Sequence, residues 1–152
     1  MTTDPVAILL VDDDRDDVTL ALRALEKAGI TDSICVVRDG AEALEFIFGT
    51  GAYSERSVAD LPQLVILDIN LPMVGGLEVL DRIRADLRTT GLPVVLLTSS
   101  QERRDVVEGY RLHANSYVVK PVDFVKFASA VGELGRYWLT LNVALPSVPG
   151  SS

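Results

Sequence analysis

Five short apolar runs, at residues 7–11, 34–37, 64–67, 93–97 and 117–119, constrain this chain more than any other feature. Each is too short for a helix and is apolar at consecutive positions, so an extended segment there must be covered on both faces. Between the runs the apolar spacing changes to three and four. Val18, Leu22, Leu25 and Ala28 share one helical face, with Gly29 as a stop, and Ala43, Leu44, Ile47 and Phe48 share a second after Asp39-Gly40. Leu77, Leu80, Ile83 and Leu87 make a third; residues 100–112 make a more charged fourth; and Phe124, Phe127, Val131, Leu134 and Trp138 make a fifth. Strand and helix in strict alternation imply right-handed crossovers and an α/β fold, a doubly wound five-stranded parallel sheet with five helices.

A chain of 152 residues can bury one full core without disulfide or metal staples. The expected organisation is a single domain over residues 1–138, followed by a C-terminal arm at 139–152 that leaves no room for a separate output domain. In that arm Leu139, Leu141, Val143 and Leu145 alternate with polar or small residues, which reads as an amphipathic strand before Pro146. A monomer offers it no obvious cover. The expectation is therefore a homodimer held through the fifth helix and the arm, against the simpler reading that the arm folds back on its own domain.

Fourteen basic side chains stand against 22 acidic ones, a formal charge of -8. An acidic surface of that kind repels a phosphate backbone, so nucleic-acid binding is not expected. The first residues carry no basic leader, and apolar runs fall short of the roughly 18 residues that span a bilayer, so no membrane partner is expected either. The single cysteine, Cys35, lies inside the second apolar run and reads as a small buried side chain in a reduced, cytoplasmic protein.

Open α/β sheets bind ligands outside the carboxyl ends of their strands. Four of the five runs end there in reactive or charged residues: Asp12-Asp13-Asp14, then Asp68, then Thr98-Ser99, then Lys120-Pro121. Carboxylates Asp12, Asp13 and Asp68 converging at one sheet edge would repel one another, and a hard divalent cation such as Mg2+ is their natural neutraliser. An aspartate beside such a cation can act as a nucleophile toward a phosphoryl group. The Thr98 hydroxyl and the Lys120 ammonium would supply donors to the phosphoryl oxygens.

Taken together, Leu10-Val11-Asp12-Asp13, Leu67-Asp68-Ile69-Asn70-Leu71-Pro72 with Gly76, Leu97-Thr98-Ser99 and Tyr117-Val118-Val119-Lys120-Pro121 resemble the receiver domain of bacterial two-component response regulators. The resemblance implies a flavodoxin-like sheet of strand order 2-1-3-4-5 and a phosphoryl group accepted on Asp68 from a histidine kinase. It implies Mg2+ bound directly by Asp13 and Asp68, by Asp12 mainly through water, and by the backbone carbonyl of Asn70. Thr98 and Lys120 would assist, Thr98 and Tyr117 would form the switch, and the Lys120–Pro121 bond would be cis. The connection at residues 50–60, the stretch Arg111-Leu112-His113-Ala114-Asn115 and the ending Tyr137-Trp138-Leu139-Thr140 are similar to single-domain regulators partnered with phytochrome-type histidine kinases.

Simpler readings compete at several positions. Asp14 can serve as the cap of the first helix or as an extra acid beside the metal. Tyr117 can be switch or packing, and the lone histidine, His113, reads as an exposed loop residue. The rival function is a haloacid-dehalogenase-type phosphohydrolase using Asp68 as nucleophile. That chemistry wants a second aspartate where this chain has Asn70. A receiver, by contrast, is no enzyme beyond its own phosphorylation and dephosphorylation.

Overall fold

In the computed structural model, which describes residues 6–30 and 33–143, the apolar runs form strands β1 (Ile8–Val11), β2 (Ile34–Val37), β3 (Leu64–Leu67), β4 (Val94–Thr98) and β5 (Ser116–Val119). They alternate with helices α1 (Arg15–Lys27), α2 (Gly40–Phe48), α3 (Gly76–Ala85), α4 (Arg103–Arg111) and α5 (Phe124–Arg136). All pairings are parallel, in the order β2-β1-β3-β4-β5. This is the expected flavodoxin-like arrangement.

Period-two alternation explains why the central strands are apolar throughout. Leu9 and Val11 of β1, Val65 and Leu67 of β3, and Val94 and Leu96 of β4 enter one core layer with α2 and α3. Ile8 and Leu10, Leu64 and Ile66, and Val95 and Leu97 enter the other layer with α1 and α5. The sheet is thus a partition between two dry layers. Its in-register pairing of Val11 with Leu67 delivers Asp12 and Asp68 side by side at the next position.

The helix starts are written locally. Asp14, Asp39 and Asp123 cap α1, α2 and α5, Asp14 and Asp123 each accepting two backbone N–H groups of the first turn and Asp39 accepting that of Glu42. α4 is anchored differently. Only Gly109 of its nine residues is buried, and a Cβ there would meet Leu96 Cδ1 at 2.8 Å and Tyr117 Cδ2 at 3.2 Å. The glycine lets this short helix lie close to β4 and β5 while most of its side chains stay outside.

Several expectations need correction. Leu87 lies beyond α3 and is 85% exposed: Thr89 Oγ1 donates to the Ile83 carbonyl at 2.6 Å and Asp86 takes an extended conformation, which turns the chain out of the helix. The fourth helix begins at Arg103 rather than near Ser100. Cys35 is half-buried, not buried, because β2 is an edge strand. Residues 139–143 do not form a strand. The chain leaves α5 through a π-helical turn, Tyr137–Leu141, that lays Trp138 and Leu139 on the α1/α5 core and leaves Leu141 and Val143 exposed. Leu145 and Pro146 lie outside the described residues.

Candidate functional site

At the carboxyl edge of the sheet the main chain holds the strand ends in step. Asp12 N–H donates to the Val37 carbonyl at 3.1 Å, Asp68 N–H to Val11 at 3.0 Å, and Lys120 N–H to Thr98 at 2.8 Å. Residues far apart in sequence thereby open on one cleft, lined among others by Asp13, Asp14, Asp17, Asp68, Asn70 and Lys120.

The centre of the cleft is one cation among acids. Lys120 Nζ lies 2.8 Å from Asp12 Oδ2, 2.8 Å from Asp17 Oδ2 and 3.0 Å from Asp68 Oδ2. Its side chain is only 10% exposed. Burial by itself would lower the Lys120 ammonium, but hydrogen bonds to Asp12 and Asp17 and the charges of Asp12 and Asp68 carry it above the usual lysine range. Asp12 shows the other side of this imbalance. Its burial raises its carboxyl above the usual aspartate range, even though Lys120 and the Asp14 N–H, at 3.0 Å from Oδ1, pull it down.

Asp12, Asp13 and Asp68 each place a carboxylate oxygen so that all three lie within 4.8 Å of one another, with Asp13 exposed to the cleft and the other two buried. Three hard oxygen donors with an excess of negative charge and an open side suit Mg2+ or Mn2+, which keep several waters. The donor set fits such an ion. Asn70 lines the same cleft, and its N–H donates to Asp68 Oδ1 at 3.2 Å.

Thr98 is fully buried, and its Oγ1 accepts the Ser100 N–H at 3.4 Å. The Tyr117 hydroxyl donates to the Ser100 carbonyl at 2.8 Å, and its ring packs against the α2/α3 core layer. Both residues therefore meet at one peptide segment, a link that neither position reveals in the sequence. Ser100 itself faces α4, donating from Oγ to Asp105 Oδ2 at 2.6 Å. Asp14 is the helix cap, accepting from Asp16 and Asp17 N–H, and His113 is exposed and apart from the cleft.

One sequence reading changes here. The Lys120–Pro121 bond is not cis, because cis peptides are lacking among the described residues. The long lysine stem reaches the acids from a trans backbone. Asp17 joins the site without a motif of its own: its signal is its place in the first turn of α1, three residues after the cap Asp14, where a side chain can fold back over the strand end.

These residues are arranged as the spaced motifs suggested, and the chain matches the response regulator receiver domain over residues 8–132. It belongs to that family. Family membership places this receiver among signalling modules of two-component systems rather than among conventional enzymes, and sets aside the phosphohydrolase alternative. The probable methanogenesis regulatory protein FilR2 of Methanothrix harundinacea is 40% identical over 139 residues, 91% of this chain and 87% of that protein. The response regulator Rcp1 of Synechocystis sp. is 34% identical over 143 residues, 94% of this chain and 95% of Rcp1. A crystal structure of Rcp1 in its Mn2+-bound form, 32% identical, superposes with a TM-score of 0.86 over 93% of this chain and 100% of that one. The phosphorylated cyanobacterial phytochrome response regulator RcpA, 31% identical, superposes with a TM-score of 0.86 over 94% of this chain and 100% of that one.

Proposed function

We infer that this receiver is a phosphorylation switch in which Asp68 takes a phosphoryl group from a histidine kinase, with Mg2+ held by Asp12, Asp13, Asp68 and the Asn70 carbonyl. The observation that carries this reading is the convergence of three carboxylates within 4.8 Å beside a largely covered lysine. An Asp68 carboxylate oxygen attacks the phosphorus of the kinase phosphohistidine. A P–O bond forms, the P–N bond breaks, and the imidazole nitrogen leaves with the electron pair. A bound Mg2+ supplies positive charge against the phosphoryl oxygens. Lys120 contributes an N–H donor from within the cleft, and Asn70 N–H holds Asp68 in place. Hydrolysis reverses the state when water attacks the phosphorus and returns the carboxylate and inorganic phosphate.

Readout follows from the shared segment. Thr98 turning toward the phosphoryl group releases the Ser100 N–H, and Tyr117 loses its fixed acceptor, so α4 and β5 present a changed surface. The product is a conformation that another protein reads in the cytoplasm, with self-phosphorylation and dephosphorylation as the only chemistry. The kinase is of phytochrome type, a reading supported by the likeness to RcpA. Incubation with acetyl phosphate and Mg2+, followed by peptide mass spectrometry, should place one phosphoryl group on Asp68. Asp68→Asn should take up none, and label at wild-type extent in that variant would refute the assignment.

A second reading concerns assembly. Residues 1–138 act as the receiver and 139–152 as an arm, and the chain forms a homodimer through α5 and that arm. What supports it is the apolar surface left where α5 ends: Tyr137, Leu141 and Val143 remain exposed after Trp138 and Leu139 have turned inward. Light scattering should give twice the monomer mass for the full chain and the monomer mass for a chain ending at residue 138. Monomers in both cases at high micromolar concentration would exclude the dimer.

A further inference from the structure

All three N–H bonds of the Lys120 ammonium are committed: Asp12 and Asp17 each accept at 2.8 Å, and Asp68 accepts at 3.0 Å. An ammonium has no fourth donor. A phosphoryl group on Asp68 brings oxygens that need the lysine, so one of these contacts has to be given up. Asp12 and Asp68 belong to the carboxylate triad that suits a divalent cation, whereas Asp17 does not. Asp17 is also the least buried of the three, its side chain 28% exposed against 7% and 9% for Asp12 and Asp68. It is the partner that water resolvates at least cost when the lysine leaves.

We propose that Asp17 is a positioning residue that holds Lys120 in the resting state and competes with the phosphoryl oxygens for it. Resting on the assignment of Asp68 as acceptor, this makes the first turn of α1 a brake on phosphorylation. Two effects act in the same direction. The Asp17 carboxylate occupies a lysine donor, and its negative charge repels an incoming phosphoryl dianion across the same cleft. Replacing it with asparagine removes the charge and weakens the grip on the lysine, while Asp14 still caps the helix.

The test uses the full chain with saturating Mg2+ and two probes, acetyl phosphate for the rate of Asp68 labelling and beryllium fluoride as an equilibrium mimic of the phosphoryl group. Asp17→Asn is expected to label faster and to bind beryllium fluoride more tightly by about fivefold, the upper scale of a partly exposed ion pair. Asp17→Glu, which restores the charge, should return both values toward wild type. Asp16→Asn controls for general charge: it makes the same charge change one residue away, at a side chain outside the cleft lining and the ion pairs. Equal gains in Asp16→Asn, or unchanged or weaker binding in Asp17→Asn, overturn the proposal. If wild type labels on Asp68 while Asp17→Asn merely tracks it, the brake alone falls. If wild type takes no label on Asp68, the acceptor assignment falls with it.

Discussion

Lys120→Ala should lose about 2 to 4 kcal/mol of stability in metal-free buffer and label with acetyl phosphate on the order of a hundredfold more slowly than wild type. The first effect follows from leaving Asp12, Asp17 and Asp68 without their shared cation. The second follows from removing a donor already seated within the cleft. Its pH dependence has a definite sign. Because Asp12 is raised by burial, its contribution to stability is full below the usual aspartate range and is lost as pH climbs through its raised value. Without the lysine that rise is larger, so the gap between wild type and variant should widen from acid toward neutral pH. Millimolar Mg2+ should narrow it, because an ion among the carboxylates replaces part of the lysine's charge and so binds the lysine-free variant more tightly. Denaturant melts across pH, with and without Mg2+, together with labelling rates, check each part. A variant that labels at wild-type rate would show that Lys120 takes no part in the transfer.

Gly76→Ala should damage the fold beside the cleft with a single methyl group. A Cβ at this position would stand 2.0 Å from the Asp68 carbonyl oxygen and 2.7 Å from Ile69 Cα, both backbone atoms. No rotamer change can relieve such a contact, so either α3 retreats or the end of β3 that carries Asp68 moves. We expect a loss of roughly 2 to 4 kcal/mol, or about 5 to 12 °C in Tm, and labelling of Asp68 reduced with it. Gly75→Ala is the matched control, because the nearest atom to its added Cβ is the Ile69 carbonyl oxygen at 3.8 Å. Equal Tm values for the two variants would contradict this packing.

The parts of this molecule that announce themselves in sequence are those dictated by local chemistry or by strand-end position. β1, β3 and β4 are legible because each side chain along them enters one of two dry layers. Asp12, Asp13, Asp68 and Lys120 are legible because each directly follows an apolar run, and a parallel sheet brings such positions to one edge. Competing geometry governs the parts that local pattern does not reveal. Leu87 continues the apolar period of α3, but the Thr89 cap ends the helix first. Leu139, Leu141 and Val143 alternate as a strand would, yet the chain stays helical through Leu141 and packs Trp138 and Leu139 on the α1/α5 layer. Asp17 was hidden because its role rests on where a helical side chain points, which requires knowing how α1 sits over β1. The joint anchoring of Thr98 and Tyr117 at Ser100 spans 20 positions and has no local signature.

The shallow seating of α4, with Gly109 as its only buried residue, bears on how little energy a signal needs. Shifting a helix that buries several leucines forfeits a large apolar area, whereas shifting this one forfeits mainly a glycine contact and a few half-covered side chains. Displacing α4 would therefore cost little, and a new hydrogen bond to Thr98, worth about 1 kcal/mol, would weigh against that cost. The rest of the domain is moored by its two dry layers, which leaves α4 as its least-moored helix.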